Sequence, residues 1–235
     1  MKDISISDWV LIATTIILAT AAFLTPLVGE YIKHRWSGPV LRLSYAARPP
    51  GSHKTRLNVR LSEAQVEKCE TYYFRLAIEN DGKTQAHNCE VVLEQVWFGN
   101  SKGGLELLSQ FGPIGLPWGS GYTDFVDINP SRVFFCDFLT IPDEAAQKWF
   151  AMFGNYIDFP GYTAGNNGLV LCTRAAFYSQ PNRLPPGVYR FHVAVFAENA
   201  TPVRAAIEVD WSGQWRSHDA EMFKECTVRQ FARTS

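Results

Sequence analysis

From Trp9 to Gly29 the chain runs for 21 residues without a charged side chain, and Val, Leu, Ile, Ala and Phe dominate the run. Wound as a helix at about 1.5 Å per residue, it is about 31 Å long, close to the ~30 Å hydrocarbon thickness of a bilayer. It is expected to cross once. Trp9 at its start, and Tyr31 and Trp36 just past its end, stand where amphipathic rings favour the headgroup layer, and Pro26 falls in the last turns. The competing reading is a cleaved secretory signal, because Ala19-Thr20-Ala21 has the small-x-small form of a cleavage site. The leading MKDISISD, however, sets Lys2 against Asp3 and Asp8 and lacks a basic start, and the apolar run continues through Phe23, Leu24, Leu27 and Val28. A retained anchor is the expectation.

The flanks set its direction. Residues 31–62 hold Lys33, Arg35, Arg42, Arg48, Lys54, Arg56 and Arg60 with no Asp or Glu, whereas the preceding flank has only Lys2. Positive flanks stay in the cytoplasm. The expected organisation is a short outer tail (1–8), the spanning helix (9–29), a basic juxtamembrane linker (30–39) and a cytoplasmic body (40–235). Lys33, Arg35 and Arg42 are candidates for contact with anionic headgroups, each nearby cation contributing ~1 kcal/mol. The plainer reading is a topology signal without lipid specificity. The odd count of five cysteines, Cys69, Cys89, Cys136, Cys172 and Cys226, includes no close pair. It forms neither a disulfide framework nor a CxxC zinc site, and it suits a reducing compartment. A formal net charge of -1 argues against a surface built for nucleic acid.

Beyond the anchor the pattern changes to period two. Tyr72, Phe74, Leu76 and Ile78 alternate with Tyr73, Arg75, Ala77 and Glu79, so one face of this strand is core. Asn80-Asp81-Gly82-Lys83 is a turn signal, and Cys89, Val91 and Leu93 with Val96 to Phe98 read as the returning strand of a hairpin. Val40 to Tyr45, Phe125 to Ile128, Val133 to Leu139, Leu169 to Phe177, Val188 to Glu198 and Ala205 to Trp211 are further strands, the last two forming a second hairpin. Helical pattern is confined to a short stretch after Pro142 and to Asp219–Gln230. Many short strands without a βαβ rhythm predict an all-β fold, an antiparallel two-layer sandwich.

The segment Phe74 to Gly82, continuing from Ala86 to Leu93, resembles the B to C hairpin of immunoglobulin-like domains of the bacterial adhesion-related (CARDB-like) type. Gly187-Val188-Tyr189 resembles the start of their penultimate strand, where a Tyr pins the corner. The resemblance implies an immunoglobulin-like β-sandwich, from which this chain departs by a long aromatic-rich insert at about 99–186. It implies no activity, because such sandwiches host many roles.

Chemistry leaves few marks. The five His form no HExxH or HxH arrangement, Gly119-Ser120-Gly121 lacks the GxSxG spacing, and Gly165-Asn166-Asn167-Gly168 lacks the Lys-Ser/Thr of a phosphate loop. No catalytic, metal or cofactor residue is assigned and no cofactor is expected. Asp124, Asp127, Asp137 and Asp158 could pair as carboxylates only if the fold brings them together. Aromatic density stands out, with Trp149, Phe150, Phe153, Tyr156, Phe159 and Tyr162 falling close together. Trp118, Tyr156 and Tyr162, set among Gly and Pro, are the candidate partner-binding residues; the alternative is that the insert folds down and caps the sandwich. Thr15, Ala19, Ala22 and Pro26 give the helix a small-residue face that permits oligomerisation. The expected function is a single-pass membrane-anchored interaction module, a subunit, scaffold or sensor with a protein partner or a second copy of itself, and no enzyme. The alternative is an extracytoplasmic ligand- or glycan-binding sandwich.

Overall fold

The computed structural model describes residues 6–60, 66–99, 103–109, 111–119, 123–147, 167–174 and 182–232. A helix, α1 (Ile6–Ser37), precedes two antiparallel sheets. The first sheet holds β1 (Leu41–Tyr45), β2 (Ser52–Arg60), β3 (Val66–Asn80), β8 (Val133–Pro142), β9 (Leu169–Leu171) and β10 (Arg183–Leu184). The second holds β4 (Ala86–Gly99), β5 (Leu105–Leu107), β6 (Ile114–Gly115), β7 (Val126–Ile128), β11 (Gly187–Ala197), β12 (Ala200–Trp211) and β13 (Cys226–Ala232), with α2 (Asp219–Glu225) before the last strand. The alternation seen in the sequence buries Tyr72, Phe74, Leu76 and Ile78 of β3 in one core with Phe191, Val193, Ile207 and Val209 of β11 and β12. Phe138 of β8 meets Phe191 edge-on at 5.1 Å, ring centroid to ring centroid, across the layers. Burial of each such side chain contributes roughly 1.5–3 kcal/mol. The result is an antiparallel β-sandwich compatible with an immunoglobulin-like fold.

Three expectations about connectivity are corrected. β3 and β4 are not a hairpin: β3 pairs with β1, β2 and β8, while β4 pairs with β11 and β5 to β7. Each carries a full core face, and such faces pack layer on layer as readily as they pair edge to edge. The turn after Asn80 therefore carries the chain between sheets. In immunoglobulin order strands B and C also lie in different sheets, so the topology fits that order while the hairpin resemblance does not. Second, the stretch expected as an insert at about 99–186 is not one throughout, because its described residues supply β8, the neighbour of β3 along most of its length. Third, Asp219–Gln230 is not one helix. α2 ends at Glu225, Cys226 turns to extended backbone, and β13 pairs with β12 from Ala205↔Ala232 to Trp211↔Cys226. The pairing of β11 with β12 is a hairpin as expected.

The joint between α1 and the sandwich is short and fully bonded. Only Gly38, Pro39 and Val40 separate Ser37 from β1. Val40 N–H donates to Asn80 Oδ1 at 3.1 Å, Asp81 N–H to Val40 O at 2.8 Å, and Lys83 N–H to Gly38 O at 3.3 Å. A β-carbon at Gly82 would stand 2.4 Å from Val40 N and 2.5 Å from Pro39 Cα, so only glycine lets the turn lie on the linker. Asn80 is wholly buried, and its Nδ2 donates to Thr84 O (2.8 Å) and Ile128 O (2.9 Å).

Along α1 every described side chain from Ala13 to Pro26 is exposed. Counted over the described residues, no helix is long and apolar enough to cross a membrane. The side chains of residues 6–9, Ile12, Leu27 and residues 30–36 are not described, so a spanning role for Trp9 to Gly29 rests on the sequence.

Candidate functional site

The outward face of the first sheet gathers the most polar chemistry. Tyr73 and Arg75 alternate outward from β3, and an irregularity in the β3–β8 register at Phe74/Arg75 sets Asp137 opposite Arg75. Arg75 Nε donates to Asp137 Oδ1 at 2.5 Å. The guanidinium lies 5.5 Å from the Tyr73 ring centre, and His53 of β2, the register partner of Tyr73, stacks on that ring at 5.9 Å. Burial, followed by the charge of Arg75, holds the His53 imidazole below its ordinary value of 6.5. Cys172 and Cys136 flank Asp137, and burial raises both thiols well above the usual range. Neither is a thiolate near neutrality, so neither is a ready nucleophile.

Beside Asp137 opens a hollow of about 450 Å³, bordered by Trp118, Thr123, Asp124, Thr173 and Arg174. Arg174 spans it: Nη2 donates to Glu90 Oε2 at 2.8 Å and Nη1 to Asp124 O at 2.8 Å. Asp124 and Asp137 thus border one hollow, each already engaged by an arginine. Asp127 sits elsewhere, on β7, where it accepts from Asn88 N–H at 2.9 Å and faces His87, and Asp158 lies outside the described residues. Of the four carboxylates, Asp124 and Asp137 are the two that the described residues bring to one hollow. No three His, Cys, Asp or Glu side chains among the described residues gather as metal ligands do.

The partner-binding candidates fare unevenly. Trp118 is only 2% exposed, a correction to its reading as an exposed anchor. Asp137 N–H donates to Pro117 O and Gly119 N–H to Phe135 O, which straps the Gly-Pro segment along β8 and turns the indole inward, edge-on to Phe134. Its Nε1 is buried without a hydrogen-bond partner. Tyr156 and Tyr162 lie outside the described residues. Of the headgroup candidates, the side chains of Lys33 and Arg35 are likewise undescribed, while Arg42 is exposed and ion-paired with Glu79 and Asp81. Sequence reasoning missed the Arg75–Asp137 pair, because a register irregularity between distant strands leaves no mark in either strand.

His53 makes the pH dependence testable. Its folded pKa lies below the unfolded value, so the stability it contributes is complete above pH 6.5 and is lost as pH falls toward the folded pKa. Asp127, held down by Asn88 N–H and His87, and Glu225, held down by Ser212 and Arg216, act with the same sign only below about pH 5. The melting temperature should therefore begin to drop between pH 6.5 and 5, and His53→Gln should flatten that part of the profile. A profile unchanged by the substitution contradicts the assignment.

No family model, curated protein or solved structure matches the chain.

Proposed function

We propose that the chain is a single-pass membrane-anchored interaction module, an immunoglobulin-like sandwich that acts as a subunit, scaffold or sensor without a catalytic step of its own. The observation that carries this reading is α1, a 32-residue helix that exposes Leu11, Ile17, Leu18 and Phe23 and places none of its described side chains in the sandwich core. In water such a surface is unfavourable by roughly 25 cal/mol per Å². Its polar groups are satisfied internally, as hydrocarbon requires. The hydroxyls of Thr14, Thr15, Thr20 and Thr25 donate to the carbonyls of Val10, Leu11, Ile16 and Ala21 at 2.6–2.9 Å.

The basic flank supports a cytoplasmic body, with Lys33, Arg35, Arg42 and Arg48 within 20 residues of Gly29. The free cysteines agree with a reducing compartment. The immunoglobulin-like reading draws support from the order β12-β11-β4 and from Tyr189, whose hydroxyl donates to Pro185 O at 2.8 Å, as in a tyrosine corner. Alkaline carbonate extraction of membranes from expressing cells tests the anchor. The full chain should stay in the pellet, and a Leu18→Arg/Phe23→Arg chain, at about 2.5–3.5 kcal/mol per arginine, should move to the supernatant. Release of the unaltered chain by carbonate contradicts the proposal.

A further inference from the structure

We infer that one end of the sandwich, the one carrying the turn after Asn80 and the turn before β8, rests on anionic lipid headgroups. The inference rests on α1 lying in the bilayer and adds which surface then faces the lipid. From Gly29 to Ser37 the helix rises about 12 Å, against a headgroup layer of about 5–8 Å per leaflet. The linker that follows has no slack, because Gly38 and Val40 are bonded to the Asn80 turn and Gly82 is packed on Pro39. The second turn is held to the first: Ser131 N–H donates to Asn80 O at 2.8 Å and Asn80 N–H to Arg132 O at 3.2 Å. Both turns are thus fixed beside the helix exit, within about one Debye length (~8 Å) of the headgroups.

Their composition suits that position. Val40 (57% exposed) and Val133 (43%) are large apolar side chains left in the open at this end. Around them stand Arg42, Lys83 and Arg132, all exposed. Of the acids at this end, Glu79 and Asp81 are both engaged by Arg42, Asp127 accepts from Asn88 N–H beside His87, and Glu198 accepts from Asn88 Nδ2. Lys83 and Arg132 form no ion pair among the described residues, so two cations and two valines are left to meet a surface. Apolar residues flanked by free cations match the boundary between anionic headgroups and acyl chains.

The test uses the full chain in lipid nanodiscs of phosphatidylcholine with phosphatidylserine, carrying headgroup-nitroxide lipids as quenchers. A fluorophore is placed at Ser131→Cys or, as the opposite-end control beyond β12, at Ser217→Cys. The Ser131 probe should be quenched severalfold more than the Ser217 probe, and Lys83→Glu/Arg132→Glu should shrink that difference. If the chain co-elutes with the nanodisc yet both probes are quenched alike, or the double reversal changes nothing, the inference is overturned while the anchor stands. A chain that does not co-elute overturns both.

Discussion

Replacing Asn80 by alanine should destabilise the sandwich by about 4 kcal/mol, because four hydrogen bonds are lost at roughly 1 kcal/mol each. Its Oδ1 accepts from Val40 N–H and Gly82 N–H, and its Nδ2 donates to Thr84 O and Ile128 O, all within 3.1 Å. One wholly buried amide thus ties together the linker, the inter-sheet turn and β7. Alanine leaves two N–H groups and two carbonyls to find other partners. For a body of this size the melting temperature should fall by about 10 °C. Asn80→Asp keeps the acceptor but removes both donors, so it should not rescue. A loss below about 1 kcal/mol for Asn80→Ala would refute this role.

Trp118→Ala should cost about 3–5 kcal/mol, the range for removing a large aromatic side chain from a core. An exposed tryptophan at a loop tip, replaced in the same way, changes stability within about ±0.5 kcal/mol. The two readings of this residue therefore differ several-fold in a single denaturant titration. Because Trp118 Nε1 has no hydrogen-bond partner, Trp118→Phe should be tolerated far better than Trp118→Ala. A Trp118→Ala protein as stable as the parent would place the indole on the surface after all.

These residues mark where the sequence is legible and where it stops. The alternation in Tyr72–Glu79 and in Tyr189–Ala197 was readable because each strand has one buried and one wetter face, which imposes period two on the side chains. Which strand pairs with which was not readable. β3 and β4 satisfy the same pattern whether they are edge-to-edge neighbours or face each other. β2 escaped notice because Lys54, Arg56 and Arg60 blur its alternation, and an edge strand accommodates such charges. Met222, Phe223 and Cys226 fit a helical stripe, yet tertiary pairing with β12 makes Cys226–Ala232 a strand. Trp118 lies in a Gly-Pro context that reads as a free loop, and only its strapping to β8 turns it inward. At the polar cluster, Arg75 and Asp137 are 62 positions apart, and nothing local to either announces the other.

The account depends on an apolar helix that crosses the bilayer and leaves the sandwich on the side of its basic flank. Paired carboxyl-terminal fusions in a bacterial host test that most directly, one to a fluorescent protein that matures in the cytoplasm and one to alkaline phosphatase, which is active only outside it. The account predicts a bright fluorescent fusion in the membrane fraction and an inactive phosphatase. An active phosphatase with a dark fluorescent fusion would contradict it.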